Sequence, residues 1–367
     1  MQPFALERFL SKHEFSVRHY ACASDPDTLT VDQVLALEPG AKERLLAQPL
    51  CYTDTKGSLE LRQAIAALTP GLTVADVLVH VGAEEPIFTF FRSTVTAGDQ
   101  VIALTPTYQS LTSLAEALGA QVLRWDARER DGWQPDVDEL AKLISPRTKV
   151  LVVNTPQNPV GSVLTPDRFD AICRLAEKHG LWLLGDEVYR GLEHGAATLP
   201  SVAERVERSV AVGALAKVYG LAGLRIGWAA SKNRVRLGEM ETVKDYLSIC
   251  APGPSELLAS IALRNAPALK ERTKTIVRRN LDEVEALISR FPAQLGWTRP
   301  NAGTTGFLHI KSGPAEAWAL RVLQETGVLF APSVLFGFTD THVRVGLGRS
   351  NLSDCLAALS PWLERQR

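Results

Sequence analysis

The sequence predicts an α/β protein with a doubly wound, mainly parallel sheet in a large domain and a smaller α+β domain beside it. Three observations point there. Short apolar runs, almost free of charge, recur through the first two thirds of the chain. Amphipathic helical patterns alternate with them, and the texture changes after about residue 245. At 367 residues the chain is long enough for two domains.

The apolar runs are Val77–Val81, Gln100–Leu104, Lys149–Asn154, Leu181–Gly185 and Ser209–Val212. Runs this short and this rich in branched residues fit strands buried on both faces of a parallel sheet. Between them Leu111–Leu118, Val137–Leu143 and Thr165–His179 carry helical spacing. Pro166 suits the first turn of the last helix, behind Thr165 as a cap, and Gly180 suits its end. Strand, helix and strand in succession build a doubly wound layer. After residue 245 come long helical stretches, Ser255–Asn265 and Ala268–Phe291. Candidate strands come next at Thr305–Ile310, Val328–Phe330 and His342–Gly346, with a closing helix near Leu352–Glu364. The expected division is a large domain over 46–245 and a small domain made of 1–45 and 246–367.

Composition narrows the function. Forty basic residues face 41 acidic ones, a formal net charge of -1, which gives no electrostatic case for nucleic acid or an anionic membrane. Cys22, Cys51, Cys173, Cys250 and Cys355 are scattered singly, without a C-x-x-C or Cys/His cluster, so neither a disulfide framework nor a metal site is expected. No run of about 18 apolar residues suggests a membrane span. The charged start, Met1–Phe15, does not read as a secretory signal. A cytoplasmic protein is expected.

Ligands in an open α/β sheet sit beyond the carboxyl ends of its strands, so the residues just past each run are the ones to read for chemistry. After Val77–Val81 comes Gly82-Ala83-Glu84, a small-residue turn into a helix that offers backbone N–H groups to a phosphate. Tyr108 lies past the second run, Asn158 past the third, Asp186 and Tyr189 past the fourth, and Lys217 and Arg225 past the fifth. Singly, each has an ordinary structural use: packing, turn formation, helix capping or a solvated charge. Together they answer one chemical need. A lysine amine binds a carbonyl cofactor as a Schiff base, and a carboxylate keeps a pyridine nitrogen protonated so that the ring is an electron sink. An amide and a phenol hold a phenolate oxygen, an aromatic ring stacks, and an arginine holds phosphate. That inventory is what pyridoxal 5′-phosphate requires.

The motifs resemble the fold-type I, class I/II aminotransferases, the aspartate aminotransferase superfamily, over nearly the whole chain. They are Tyr52-Thr-Asp-Thr-Lys-Gly57 with Leu61-Arg62, Asn154-x-Pro156-x-Asn158-Pro159-x-Gly161, Asp186-Glu187-Val188-Tyr189, Lys217 with Arg225, and Arg344 in His-Val-Arg-Val-Gly. The resemblance implies that Lys217 forms the internal aldimine and shuttles the proton, while Asp186 pairs with the pyridine nitrogen. Asn158 and Tyr189 would bond the ring oxygen, and Asn158 would also border the substrate. Tyr108 would stack on the ring. Ala83 and Glu84, through their N–H groups, and Arg225 would hold the phosphate. Tyr52 would reach the neighbouring subunit's phosphate, implying a homodimer, and Arg344 would clamp the substrate α-carboxylate. The expected activity is transfer of an amino group from an L-amino acid to a 2-oxo acid.

The pattern also departs from the family. Ala214 and Ala216 stand where hydroxyl residues are usual, three and one positions before the lysine, and Pro332-Ser333-Val334 replaces Pro-Gly-Ser. Ala21–Asp25 replaces a glycine segment that often touches substrate. The stretches Pro106–Leu111, Lys217–Trp228 and Lys244–Leu247 are similar to the capreomycidine synthases, which use the same cofactor to eliminate and cyclise a hydroxyarginine. A lyase or cyclase is therefore the alternative enzyme, and a non-catalytic regulator of this fold the third reading. Arg349 reads as structural and His80 as a core histidine, with Glu85, Tyr20, Tyr246 and Trp228 as further pocket candidates.

Overall fold

The computed structural model describes residues 1–366. At its centre is a seven-stranded sheet ordered Val77–Val81, Ile226–Ala230, Ser209–Ala214, Trp182–Asp186, Thr148–Asn154, Gln100–Thr105, Gln121–Asp126. Neighbours are parallel except for the two pairs made by Ile226–Ala230, which runs against both its partners. This is the doubly wound, mainly parallel sheet that the apolar runs predict.

Gln100–Thr105, Trp182–Asp186 and Ser209–Ala214 are buried along their whole length, which is why they read as unbroken runs. Two strands escape that reading. Gln121–Asp126 is an edge strand with only Trp125 buried, and Gln121, Arg124 and Asp126 interrupt its apolar residues. Ile226–Ala230 is Ile-Gly-Trp-Ala-Ala, with a single branched residue to mark it. The helix after Thr165 starts on Pro166 and closes on Gly180 at φ 63°. Thr165 contributes extended backbone there, since its side chain makes no capping bond.

A second, antiparallel sheet is ordered Ala331–Pro332, His342–Gly346, Thr305–Ile310, Leu295–Gly296. Helices Ala266–Arg290, Ala315–Thr326 and Leu352–Arg365 accompany it. Val277, Leu281, Leu308, Trp318 and Val343 belong to its apolar core, which is distinct from the larger core around the seven-stranded sheet. The first 45 residues divide between these cores rather than packing with the smaller one throughout. The amphipathic helix Ala5–His13 buries Leu6 and Leu10 in the larger core. Ala21 joins the smaller, and His19–Tyr20 pairs in parallel with Val328–Leu329. Among the described residues no helix is long and apolar enough to cross a membrane.

Candidate active site

Parallel strands bring their carboxyl ends to one edge of the sheet. Because Ile226–Ala230 runs the other way, its start, and therefore Arg225, lies at that same edge. A cavity of about 640 Å³ opens there, within the usual range for small-molecule sites. Ala83, Glu84 and Tyr108 line it, as do Asn158, Asp186 and Tyr189, then Lys217 and Arg225, and Arg344 from the second sheet. Of the expected set, Tyr52 stands apart: it is 83% exposed, on the loop before Leu59–Ala66.

The strand ends are tied to one another. Asn154 Nδ2 donates to the Asp186 carbonyl at 2.9 Å, and the Asn158 N–H donates to Asn154 Oδ1 at 2.7 Å. Asp186 is buried, and the Val188 N–H donates to its Oδ1 at 3.3 Å. Burial pushes its carboxyl up to about 6, against the pull of that N–H and of Lys217. Burial pushes the Lys217 amine below its ordinary value, partly opposed by Asp25. Lys217 Nζ donates to Ser24 Oγ at 2.8 Å, and the Tyr189 hydroxyl to the Ser24 carbonyl at 3.4 Å. The Tyr108 hydroxyl donates to Glu7 Oε1 at 2.6 Å, and Phe4 packs on its ring with centroids 4.9 Å apart.

Ala83 caps the helix Glu84–Thr94, whose first N–H groups have no intrahelical acceptor. Gly82 before it has φ 70°, and a Cβ there would collide with Arg225 Nη2. Glycine thus lets the guanidinium lie against the helix start. Arg225 itself holds φ 52°, a left-handed conformation costly for a non-glycine residue and common at functional sites.

Arg344 lies in the middle of His342–Gly346, between Phe307 and Ala331, and is 1% exposed. Its Nε and Nη2 donate to the Cys22 carbonyl at 3.1 and 2.9 Å, and Nη1 donates to Asn158 Oδ1 at 3.3 Å. Its guanidinium carbon lies 5.1 Å from the Phe336 ring centre. Among the described residues no carboxylate pairs with it. A buried cation without a counter-ion is an anion site in waiting.

Several lining residues were not among the expected site residues. Arg349 borders the cavity and donates to Asp25 Oδ2 at 2.9 Å. It lies past the end of the strand at Gly346, and its pair with Asp25 gives it the structural use expected of it. Glu7 and Glu14, from the N-terminal helix and the residue after it, also line the cavity. Amphipathic spacing marks such a helix but not the surface it covers. Ser24 and Asp25 confirm the segment that replaces the family's glycine stretch as a wall of the site. His80 is fully buried with Nδ1 3.2 Å from Glu85 Oε2, while Tyr246 is 89% exposed. Ala214 and Ala216 line the cavity as methyl groups.

Comparison with known proteins places this geometry. The family model for aminotransferase class I and II matches residues 22–358. Capreomycidine synthase of Streptomyces vinaceus is 30% identical over 361 residues, 97% of this chain and 92% of that one. The crystal structure of a PLP-dependent aminotransferase from Streptococcus suis superposes with a TM-score of 0.94 at 32% identity, covering 99% of this chain and 98% of that one. That of the PLP-dependent cyclase OrfR gives 0.92 at 26%, covering 100% and 98%.

The donor set fits pyridoxal 5′-phosphate. Arg225 against a helix start could hold its phosphate. Asp186, a buried carboxylate that feels the charge of Lys217, could hold a protonated ring nitrogen, and Lys217 reaches the same cavity. The chain belongs to the class I and II aminotransferase family, and its fold and its pyridoxal 5′-phosphate dependence are those of that family.

Proposed function

We propose that the protein is an aminotransferase that moves an amino group from an L-amino acid to a 2-oxo acid. The observation that carries this reading is the placement of Lys217, Asp186 and the uncompensated Arg344 on one cavity. Arg344 binds the substrate α-carboxylate and fixes its orientation. Lys217 Nζ takes the α-proton and returns it, and burial favours the neutral amine that a base requires. Asp186 would hold the ring nitrogen, and Asn158 and Tyr189 would hold the ring oxygen. Pyridoxal phosphate, when bound, supplies a sink for the electron pair left on the α-carbon. The N-terminal helix covers the cavity and limits entry of water.

A cytoplasmic homodimer is part of the same reading. Tyr52 is exposed together with Leu46, Leu50, Tyr246, Leu247 and Ile249. The Thr53–Ala251 and Lys244–Thr55 hydrogen bonds draw their two segments to one surface. A second copy covering that surface would receive Tyr52 at its own phosphate site.

The likeness to capreomycidine synthase and to a cyclase structure favours one further reading, a lyase or cyclase on the same residues. Both routes begin with proton removal by Lys217 and differ in whether a leaving group departs before reprotonation. Product analysis of a single turnover separates them. Transamination yields a 2-oxo acid and the amino form of the cofactor. Ammonia or a cyclised amino acid, with the cofactor unchanged, would overturn the aminotransferase reading.

A further inference from the structure

Outside the cavity, two imidazoles and a carboxylate converge from different parts of the fold. Glu129 lies on the short helix Glu129–Asp131, which follows the edge strand of the seven-stranded sheet. His309 and His342 stand directly opposite each other on paired strands of the smaller sheet, with ring centroids 4.7 Å apart. Glu129 Oε2 is 3.0 Å from His342 Nε2 and 3.6 Å from His309 Nδ1. A hydrogen bond accounts for the first contact. The second is too long for one, so a ring nitrogen points at an oxygen that is already in use.

The surroundings are those of metal ligands. The Thr298 N–H donates to Glu129 Oε1 at 3.1 Å, which leaves Oε2 to the imidazoles. The Thr341 hydroxyl lies 2.8 Å from His342 Nδ1, so one ring nitrogen is held while the other faces Glu129. Supporting contacts of this kind orient ligands. Phe307 stacks on the buried His342 ring at 5.0 Å and Trp133 meets it edge-on at 5.7 Å, giving the site an apolar back wall. The three ligand atoms lie within 4.8 Å of one another. Around a tetrahedral zinc ion, with bonds of about 2.0–2.1 Å, they would be about 3.3 Å apart. The two distances to Oε2 already bracket that value, and the part-exposed His309 ring is free to turn by the remainder. A cleft of about 620 Å³, lined by Glu129 and Phe338, gives an ion and its water a way in. The cleft's arginines, Arg124, Arg128 and Arg130, are each paired with an acid. We propose that Glu129, His309 and His342 form a site for one zinc-like divalent ion, with water completing its shell. Two imidazoles favour such an ion over magnesium or calcium. The ion would tie the smaller sheet to the large domain, two residues along the strand from Arg344. Glu129 and His342 are 213 positions apart, so no ligand spacing announces the site in the sequence.

Holoenzyme stripped of metal with a chelator and dialysed is titrated calorimetrically with zinc chloride and, separately, with magnesium chloride. One zinc per chain is expected to bind, with magnesium weaker by about tenfold or more. Glu129→Gln keeps the side chain's size and removes its charge, and His309→Ala removes a part-exposed ring. Each should weaken zinc binding by about tenfold or more, at least the scale of losing a supporting contact. No saturable binding of zinc overturns the inference. So does wild-type affinity in either variant, because the ion is then held elsewhere, as by the exposed Cys51 thiol or the cofactor. Magnesium binding as well as zinc overturns the class of ion. If His309→Ala does not fold, Glu129→Gln carries the comparison. Both variants leave Lys217, Asp186 and Arg344 in place, so failure of the metal site leaves the proposed function standing.

Discussion

Replacing Arg344 with lysine separates recognition of the carboxylate from the rest of the site. A guanidinium has five N–H donors. Three are engaged in this structure: Nε and Nη2 on the Cys22 carbonyl, and Nη1 on Asn158 Oδ1. One donor therefore remains on each terminal nitrogen, the pair that a carboxylate takes in a two-pronged contact. An ammonium at the end of a flexible stem cannot keep the Cys22 and Asn158 contacts and present two parallel bonds as well. Losing one charge-assisted bond costs about 1.5–3 kcal/mol. Arg344→Lys should therefore raise the KM for any amino-acid substrate by about 10- to 150-fold, with the absorbance of the resting holoenzyme unchanged. The assay is steady-state kinetics beside spectral titration with the same amino acid. An amine without a carboxylate serves as the internal control and should be little affected. Wild-type KM with only a lower melting temperature would show that Arg344 merely braces the Cys22 segment.

The same geometry sets the outcome of other changes. Asp186→Asn should lower turnover by roughly 100-fold or more, the scale of removing a preorganised charge at a reacting centre. Cofactor-free protein gives a second readout for Asp186. Its carboxyl is pushed up from 3.8 to about 6, so its charge opposes folding, and wild-type stability falls as pH rises through that window. Cofactor-free Asp186→Asn should then be the more stable protein at pH 7, by on the order of 3 kcal/mol, with the difference gone near pH 4 in chemical denaturation. Gly82→Ala forces a Cβ into the Arg225 guanidinium at a left-handed φ; equilibrium dialysis should show about tenfold weaker cofactor binding. Ala214→Ser places a hydroxyl at the cavity wall and should tighten cofactor binding several-fold, the scale of one added hydrogen bond; unchanged affinity would mean that this methyl does not face the phosphate.

The sheet was readable where burial is two-sided. Gln100–Thr105 and Ser209–Ala214 have no solvent face, so their central positions are continuously apolar. Gln121–Asp126 has an open face and reads as mixed. The chemical residues were readable because each strand exit in a parallel sheet opens on the same edge, and Arg225 joins them through one reversed strand. Glu7 and Glu14 were not. Their place in the site depends on how a short N-terminal helix crosses to the cavity, and Glu7 contacts Tyr108 across 101 residues of sequence. Periodicity carries no signal at that separation. Arg349 reaches the cavity wall from beyond the end of its strand, where strand spacing carries no signal.

Every step of the proposed chemistry depends on Lys217 as the residue that holds the cofactor. Its amine donates to Ser24 within the cavity, burial lowers its affinity for a proton, and Asp186 lies on the same wall. Borohydride reduction of the holoenzyme, with proteolysis and mass mapping of the pyridoxyl group, tests this directly. Label is expected on the peptide that contains Lys217, and none at that peptide in Lys217→Ala. Label on any other lysine of the wild-type protein would contradict the assignment.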